Sequence, residues 1–218
     1  ASVAVSGGEL RDGRFSLALA DAAVLAPELG VAAAGSARAE GTLAGPFDAL
    51  ALAGSLQLER LSVEDQELSD LTARYDLRLA GATVDGPVSV ALDSPYGRAE
   101  ASAELQVRED AVTLAALRAR LPQTTVSGSL AVPLDGRPIG ADLSGDFADL
   151  GPWLEVAGVS GGGTGSARLQ WHQPGTAAPL VGDAELSRLR LAPAADATSL
   201  RAERVTLALR AQDPALAE

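Results

Sequence analysis

The feature that most constrains this chain is a period of two. Between Gly41 and Leu79, short runs alternate apolar with polar residues and are punctuated by Gly, Pro and Asp. Leu56 and Leu58 face one way while Ser55, Gln57 and Glu59 face the other. Ala73, Tyr75, Leu77 and Leu79 stand likewise against Arg74, Asp76 and Arg78. Successive strand residues point to opposite faces, so this spacing specifies strands with one greasy face and one wet face. The pattern recurs at Ser2–Val5, Arg14–Ala20, Val31–Glu40, Val88–Asp93, Arg98–Val107 and Ala111–Leu121. It continues at Thr124–Val132, Ile139–Leu143, Ser166–His172, Leu180–Leu191 and Leu200–Arg210. Gly86-Pro87, Ser94-Pro95-Tyr96-Gly97, Asp135-Gly136 and Gln173-Pro174-Gly175 supply turn chemistry between the runs.

Helical signals are confined to Ala22–Leu29 and Phe147–Leu154. Each follows or contains an Asp fit to cap a turn, Asp21 or Asp146, and each has a Pro that ends it early. The two share the spelling Asp-x-x-x-Leu-x-Pro-x-Leu. Two further matches keep the same order: Leu58-Glu-Arg-Leu61 with Leu186-Ser-Arg-Leu189, and Leu77 and Leu79 with Leu207 and Leu209. Asp21 to Asp146, Leu58 to Leu186 and Leu77 to Leu207 lie 125, 128 and 130 residues apart. An ordered offset that drifts by a few residues is what loop-length variation leaves in an internal repeat. It divides the chain into tandem units of roughly 15–135 and 140–218, the second incomplete. The opening in mid-pattern at Ala1-Ser-Val-Ala-Val, with no Met, marks the chain as a piece of a longer polypeptide.

Composition narrows the chemistry. The net charge of −12 comes with no basic cluster, which disfavours nucleic acid. Without Cys there is neither a disulfide framework nor a thiolate metal site. His172, the sole histidine, has no Gly-x-Ser-x-Gly elbow beside it and reads as a strand-end residue. Ser160-Gly-Gly-Gly-Thr-Gly-Ser166 lacks the Lys of a phosphate loop and reads as a flexible connection between strands. Glu64-Asp-Gln-Glu67 has no calcium-loop spacing and reads as solvated turn residues. Trp153 and Trp171 are too far apart to form a stacking platform for sugars. The expectation is therefore no catalysis, no cofactor and no metal.

What remains is the aliphatic stripe. Aromatics make up only 3% of the chain although 47% is apolar, which suits an aliphatic slot better than a compact core. The expected fold is an all-β, elongated, curled antiparallel sheet with a few short helical turns. Same-parity positions place Leu56, Leu58, Leu77, Leu79, Val88, Val90, Leu92, Leu105, Val107, Leu130, Val132, Leu169, Val205, Leu207 and Leu209 on the inner face, as the lining of a lipid groove. A bare apolar face of several hundred Å2 must curl on itself, gain a second layer or hold something greasy.

The segment Gly41-Thr-Leu-Ala-Gly-Pro-Phe-Asp-Ala-Leu-Ala-Leu-Ala-Gly-Ser-Leu-Gln-Leu58 resembles the TamB and AsmA-like family. So do Asp146 to Leu154, Gly165-Ser-Ala-Arg-Leu169, Ala178 to Leu186 and Leu189-Arg-Leu191. The resemblance implies a Gram-negative periplasmic protein, anchored in the inner membrane by a segment not present here. It implies a U-shaped, taco-like β-groove that binds phospholipid acyl chains and carries lipids between the inner and outer membranes. It further implies a role in outer-membrane protein assembly with an outer-membrane β-barrel partner, the business of a translocation and assembly module. The rival reading is a structural, adhesin-like β-repeat of a surface protein. Such proteins show tight repeats with Asn or Asp ladders, and this chain has no Asn.

Overall fold

In a computed structural model the chain is all-β. The structure describes residues 2–6, 9–21, 23, 32–63, 66–94, 97–134, 140–156, 158–171, 180–192 and 200–211. Among the described residues thirteen strands follow one another: β1 (Ser2–Ser6), β2 (Glu9–Leu19), β3 (Ala32–Pro46), β4 (Ala49–Val63), β5 (Gln66–Ala80), β6 (Thr83–Ser94), β7 (Gly97–Val107), β8 (Ala111–Leu121), β9 (Thr124–Pro133), β10 (Gly140–Phe147), β11 (Ser160–Trp171), β12 (Leu180–Ala192) and β13 (Leu200–Ala211). One short helix, α1 (Gly151–Val156), separates β10 from β11. The sheet order is the chain order, from β1 at one end to β13 at the other, so the strands form an open meander and not a closed barrel. Every pairing with a recorded register is antiparallel.

The chain divides into two compact units, Ala1–Ala115 and Ala116–Glu218. The three repeated spellings fall on elements eight strands apart. Asp21 follows β2 and Asp146 is the next-to-last residue of β10, Leu58 and Leu186 lie on β4 and β12, and Leu77 and Leu207 lie on β5 and β13.

Three local expectations are corrected. Ser160–Ser166 is strand, the first half of β11, and not a flexible connection. Gly161 is crowded by α1 and β12: a Cβ there would strike the Arg190 carbonyl and sit 3.0 Å from Leu154 Cδ1. Gly86-Pro87 lies inside β6, and the turn before it is made at Gly81 and Ala82. Gly86 adopts φ 146°, where a side chain would run into the Asp76 carbonyl, and Pro87 falls in a gap of the β5–β6 register. The helix is capped by Asp149 and not Asp146, whose residue is still in β10. Gly151 N donates to Asp149 Oδ1 at 2.8 Å. Pro152 sits in the first turn, where its missing N–H costs nothing, and so it opens the helix instead of ending it. Of the other helical segment, only Asp21 and Ala23 are described, with Ala23 N donating to Asp21 Oδ1 at 2.9 Å; the rest lies outside the described residues.

The uncovered apolar face

Register decides whether alternating strands make a continuous stripe, because a slip by one residue would turn a strand's greasy side to the other face. In unit 1 the rows line up across the strands. Phe15, Gly41, Gly54, Tyr75, Val88 and Ala103 are opposite one another from β2 to β7. The row on one side is Leu17, Ala39, Leu56, Ala73, Val90 and Ala101. Beyond it, Leu19, Ala37, Leu58 and Leu71 form another, with Leu92 opposite Ala99. On the other side lie Gly13, Leu43, Leu52 and Leu77, with Gly86 opposite Leu105. Leu50, Leu79, Val84 and Val107 complete the face. The register therefore brings Leu56, Leu58, Leu77, Leu79, Val88, Val90, Leu92, Leu105 and Val107 together on one face that carries no charged side chain.

Unit 2 repeats the arrangement over β9 to β13. Leu130, Ala141 and Trp171 form one row; Gly128, Leu143, Leu169, Gly182 and Leu209 the next. Val126, Gly145, Ala167, Ala184 and Leu207 follow, then Thr124, Phe147, Gly165, Leu186 and Val205. Val132 shares the Leu130 face by alternation. The opposite face of the same strands bears Asp142, Asp146, Arg168, Asp183, Glu185 and Arg210.

Nothing among the described residues lays a second layer over most of this face. Its buried aliphatics are few: Ala37, Leu58, Ala103 and Leu189, with Leu150 under the helix and Leu10 on β2. No side chain among the described residues is fully enclosed. Ala37 and Leu58 form the one core cluster among the described residues, with Leu19 and Leu71 packed against it. The other lining residues are half-buried, held by their lateral neighbours alone. Leu56, Leu207 and Leu209 are exposed, the last two to 51%.

Three rings keep the face low. Phe15 lies over Gly41, where an added Cβ would come 2.7 Å from the ring edge; the Tyr75 hydroxyl lies 2.6 Å from the corresponding point on Gly54. Phe147 leans over Gly145 on its own strand at 3.3 Å. Glycine is what lets a ring lie down on a sheet. Alternation alone could have flagged Phe15 and Phe147, which share parity with the aliphatics around them; the glycines beneath required the register.

At the far end of β9 and β10 the helix folds onto the face. Trp153 Nε1 donates to Thr124 Oγ1 at 2.7 Å, and its ring meets Phe147 edge-on at 6.1 Å and 88°. Thr124 is buried to 3% as a result. Two open concavities of about 690 and 760 Å3 are lined by residues of both parities. The first is rimmed by Arg120, Thr125, Asp146, Ser166 and Glu185, the second by Arg14, Ser16, Glu40, Thr42 and Ser55. Neither coincides with the aliphatic lining, and their mixed charge suits solvent.

Electrostatics are confined to the wet face. The ion pairs, such as Arg108 with Asp85 at 2.8 Å and Arg204 with Glu185 at 3.0 Å, are solvent-exposed and contribute little each. Glu59 has a clearly shifted ionisation. Ser36 N donates to its Oε2 at 2.8 Å, which holds the carboxyl below the ordinary glutamate range. His172, Glu64 and Asp65 lie outside the described residues. Among the described residues no group of three or more His, Cys, Asp or Glu is placed to hold a metal, and no helix is long and apolar enough to cross a membrane.

No family model, no curated protein and no solved structure matches this chain.

Proposed function

We propose that this chain is a lipid-carrying segment of a periplasmic protein. Its apolar face would hold phospholipid acyl chains on the way between inner and outer membrane, in support of outer-membrane protein assembly. The observation that carries the reading is a charge-free aliphatic face left uncovered over the strands of each unit. Exposed apolar area on this scale is a binding surface or an aggregation hazard. An acyl chain laid on it regains about 0.8 kcal/mol per methylene removed from water. Binding of that kind needs no polar contact, so headgroup selectivity is weak and no chemical step is involved. The TamB-like pattern of the sequence supplies the membrane setting; the partner and the inner-membrane anchor belong to that resemblance.

Photo-crosslinkers at Leu77, Leu105 and Leu207 test it. The expected result is capture of phospholipid at all three after incubation with vesicles. Leu77→Asp and Leu105→Asp should still fold, because half-buried positions can turn a carboxylate to water, and should lose lipid loading. Folded charged variants with no lipid captured by the wild-type crosslinkers would overturn the proposal.

A further inference from the structure

The two tryptophans of the chain both stand on the apolar face of unit 2, at opposite ends of its strands. Trp171 is directly opposite Ala141, and Trp153 covers Thr124 and Phe147. Ala141 and Phe147 are six residues apart on β10, which is about 20 Å along the strand. Between the two rings lie only uncharged residues, and small ones make up much of the floor: Gly128, Gly145, Gly182, Ala167 and Ala184. The band is long enough for one acyl chain, which occupies about 15 Å of a bilayer leaflet. Tryptophan prefers boundaries where an apolar region meets water, since its ring is apolar and its N–H is not.

The two ends differ chemically. The Trp153 N–H is engaged by Thr124, and its ring closes the strand ends together with Phe147 and the buried Leu150. The indole of Trp171 is 37% exposed and its N–H has no partner among the described residues. We infer that a phospholipid tail lies along the strands of unit 2, with its ester and headgroup end at Trp171 and its terminal methyl under Trp153. The inference rests on the lipid-carrying reading and adds a direction and a length to it. The uncharged band matches a hydrocarbon, and the Trp171 N–H, without a partner among the described residues, marks where ester or phosphate oxygens would go.

Two single-tryptophan proteins test it in the full 218-residue chain. Trp171→Phe leaves Trp153 as the reporter. Trp153→Tyr leaves Trp171 and keeps a ring and a donor near Thr124. Each is mixed with phosphatidylcholine vesicles brominated either near the carboxyl end or near the methyl end of the chain, and tryptophan quenching is read. The expected profiles are opposite. Methyl-end bromine quenches Trp153 several-fold more than carboxyl-end bromine, and Trp171 shows the reverse. If Trp153→Tyr unfolds, the wild-type chain minus Trp171→Phe gives the Trp171 profile by difference. Equal quenching by both lipids would mean that the tail crosses the strands, which overturns this inference. So would lipid extraction without quenching of either ring, and both results leave the lipid-carrying reading standing. A chain that extracts no lipid at all removes that reading and this inference with it.

Discussion

Glu59 shows how a single side chain repairs the edge of a sheet element. β3 bulges between Ala34 and Ala37, with Gly35 at φ 77°, and the freed Ser36 N–H donates to the Glu59 carboxylate of β4. A carboxylate depressed in the folded state adds stability above its unfolded pKa of about 4.3, and that stability is lost as pH falls through the folded value. Glu59→Ala should therefore lower the melting temperature at neutral pH, and the gap to wild type should close in acid; a gap constant with pH would refute the ionic part. Gly54 is a harsher test. Valine there would collide with the Glu40 carbonyl and the Tyr75 hydroxyl, so Gly54→Val should cost about 1–3 kcal/mol in denaturant unfolding. Ala116 occupies φ 50° in β8, a conformation that strains any residue with a Cβ. Ala116→Gly should stabilise by roughly 0.5–1 kcal/mol, the relief of the left-handed strain less the added chain entropy.

At the scale of elements, α1 is the case where spelling and structure part. The repeated Asp-x-x-x-Leu-x-Pro-x-Leu places a capping residue at Asp146, yet the strand runs on to Phe147 and Asp149 does the capping. The reason is that Thr124 pairs with Phe147 and holds β10 in the sheet for that extra residue. Asp149→Ala should cost about 1 kcal/mol of stability and Asp146→Ala within ~0.5, measured side by side by thermal unfolding. The reverse order would restore Asp146 as the cap. Strand existence and face were legible from alternation in nearly every element. The start of β6 and the first half of β11 were not, because Gly86-Pro87 and the Gly161–Gly163 run look like turn residues until their neighbours are known.

For the molecule as a whole, the uncovered apolar face sets the balance of stability. Strand after strand gains lateral contact, but few side chains gain the full transfer free energy of a closed core, about 1.5–3 kcal/mol for a Leu. An amphiphile that binds only the folded chain should therefore stabilise it: at a hundred times its Kd the gain is about 2.7 kcal/mol. For a chain of this length that is a rise in Tm of about 5–10 °C. Phospholipid micelles should produce the shift in calorimetry, and a soluble headgroup alone should not. An unchanged Tm in both would count against any acyl-chain site.

By itself the sequence determined the strand content, the two chemically opposed faces and the parity of each lining residue, because period two is a property of the extended backbone and needs no partner. The side taken by Phe15, Phe147 and Trp171 was readable from the same parity only once β2, β10 and β11 were known to be strands that include them. Only the tertiary structure decided register, since pairing depends on hydrogen bonds between segments up to dozens of residues apart. Register laid Phe15 over Gly41 and Tyr75 beside Gly54, and left Leu207 exposed on the last strand while Leu58, between two neighbours, is buried to 6%. It also put Trp153 and Trp171 at the two ends of one run of uncharged rows, a distance that 18 residues of sequence separation, with a helix in between, does not specify.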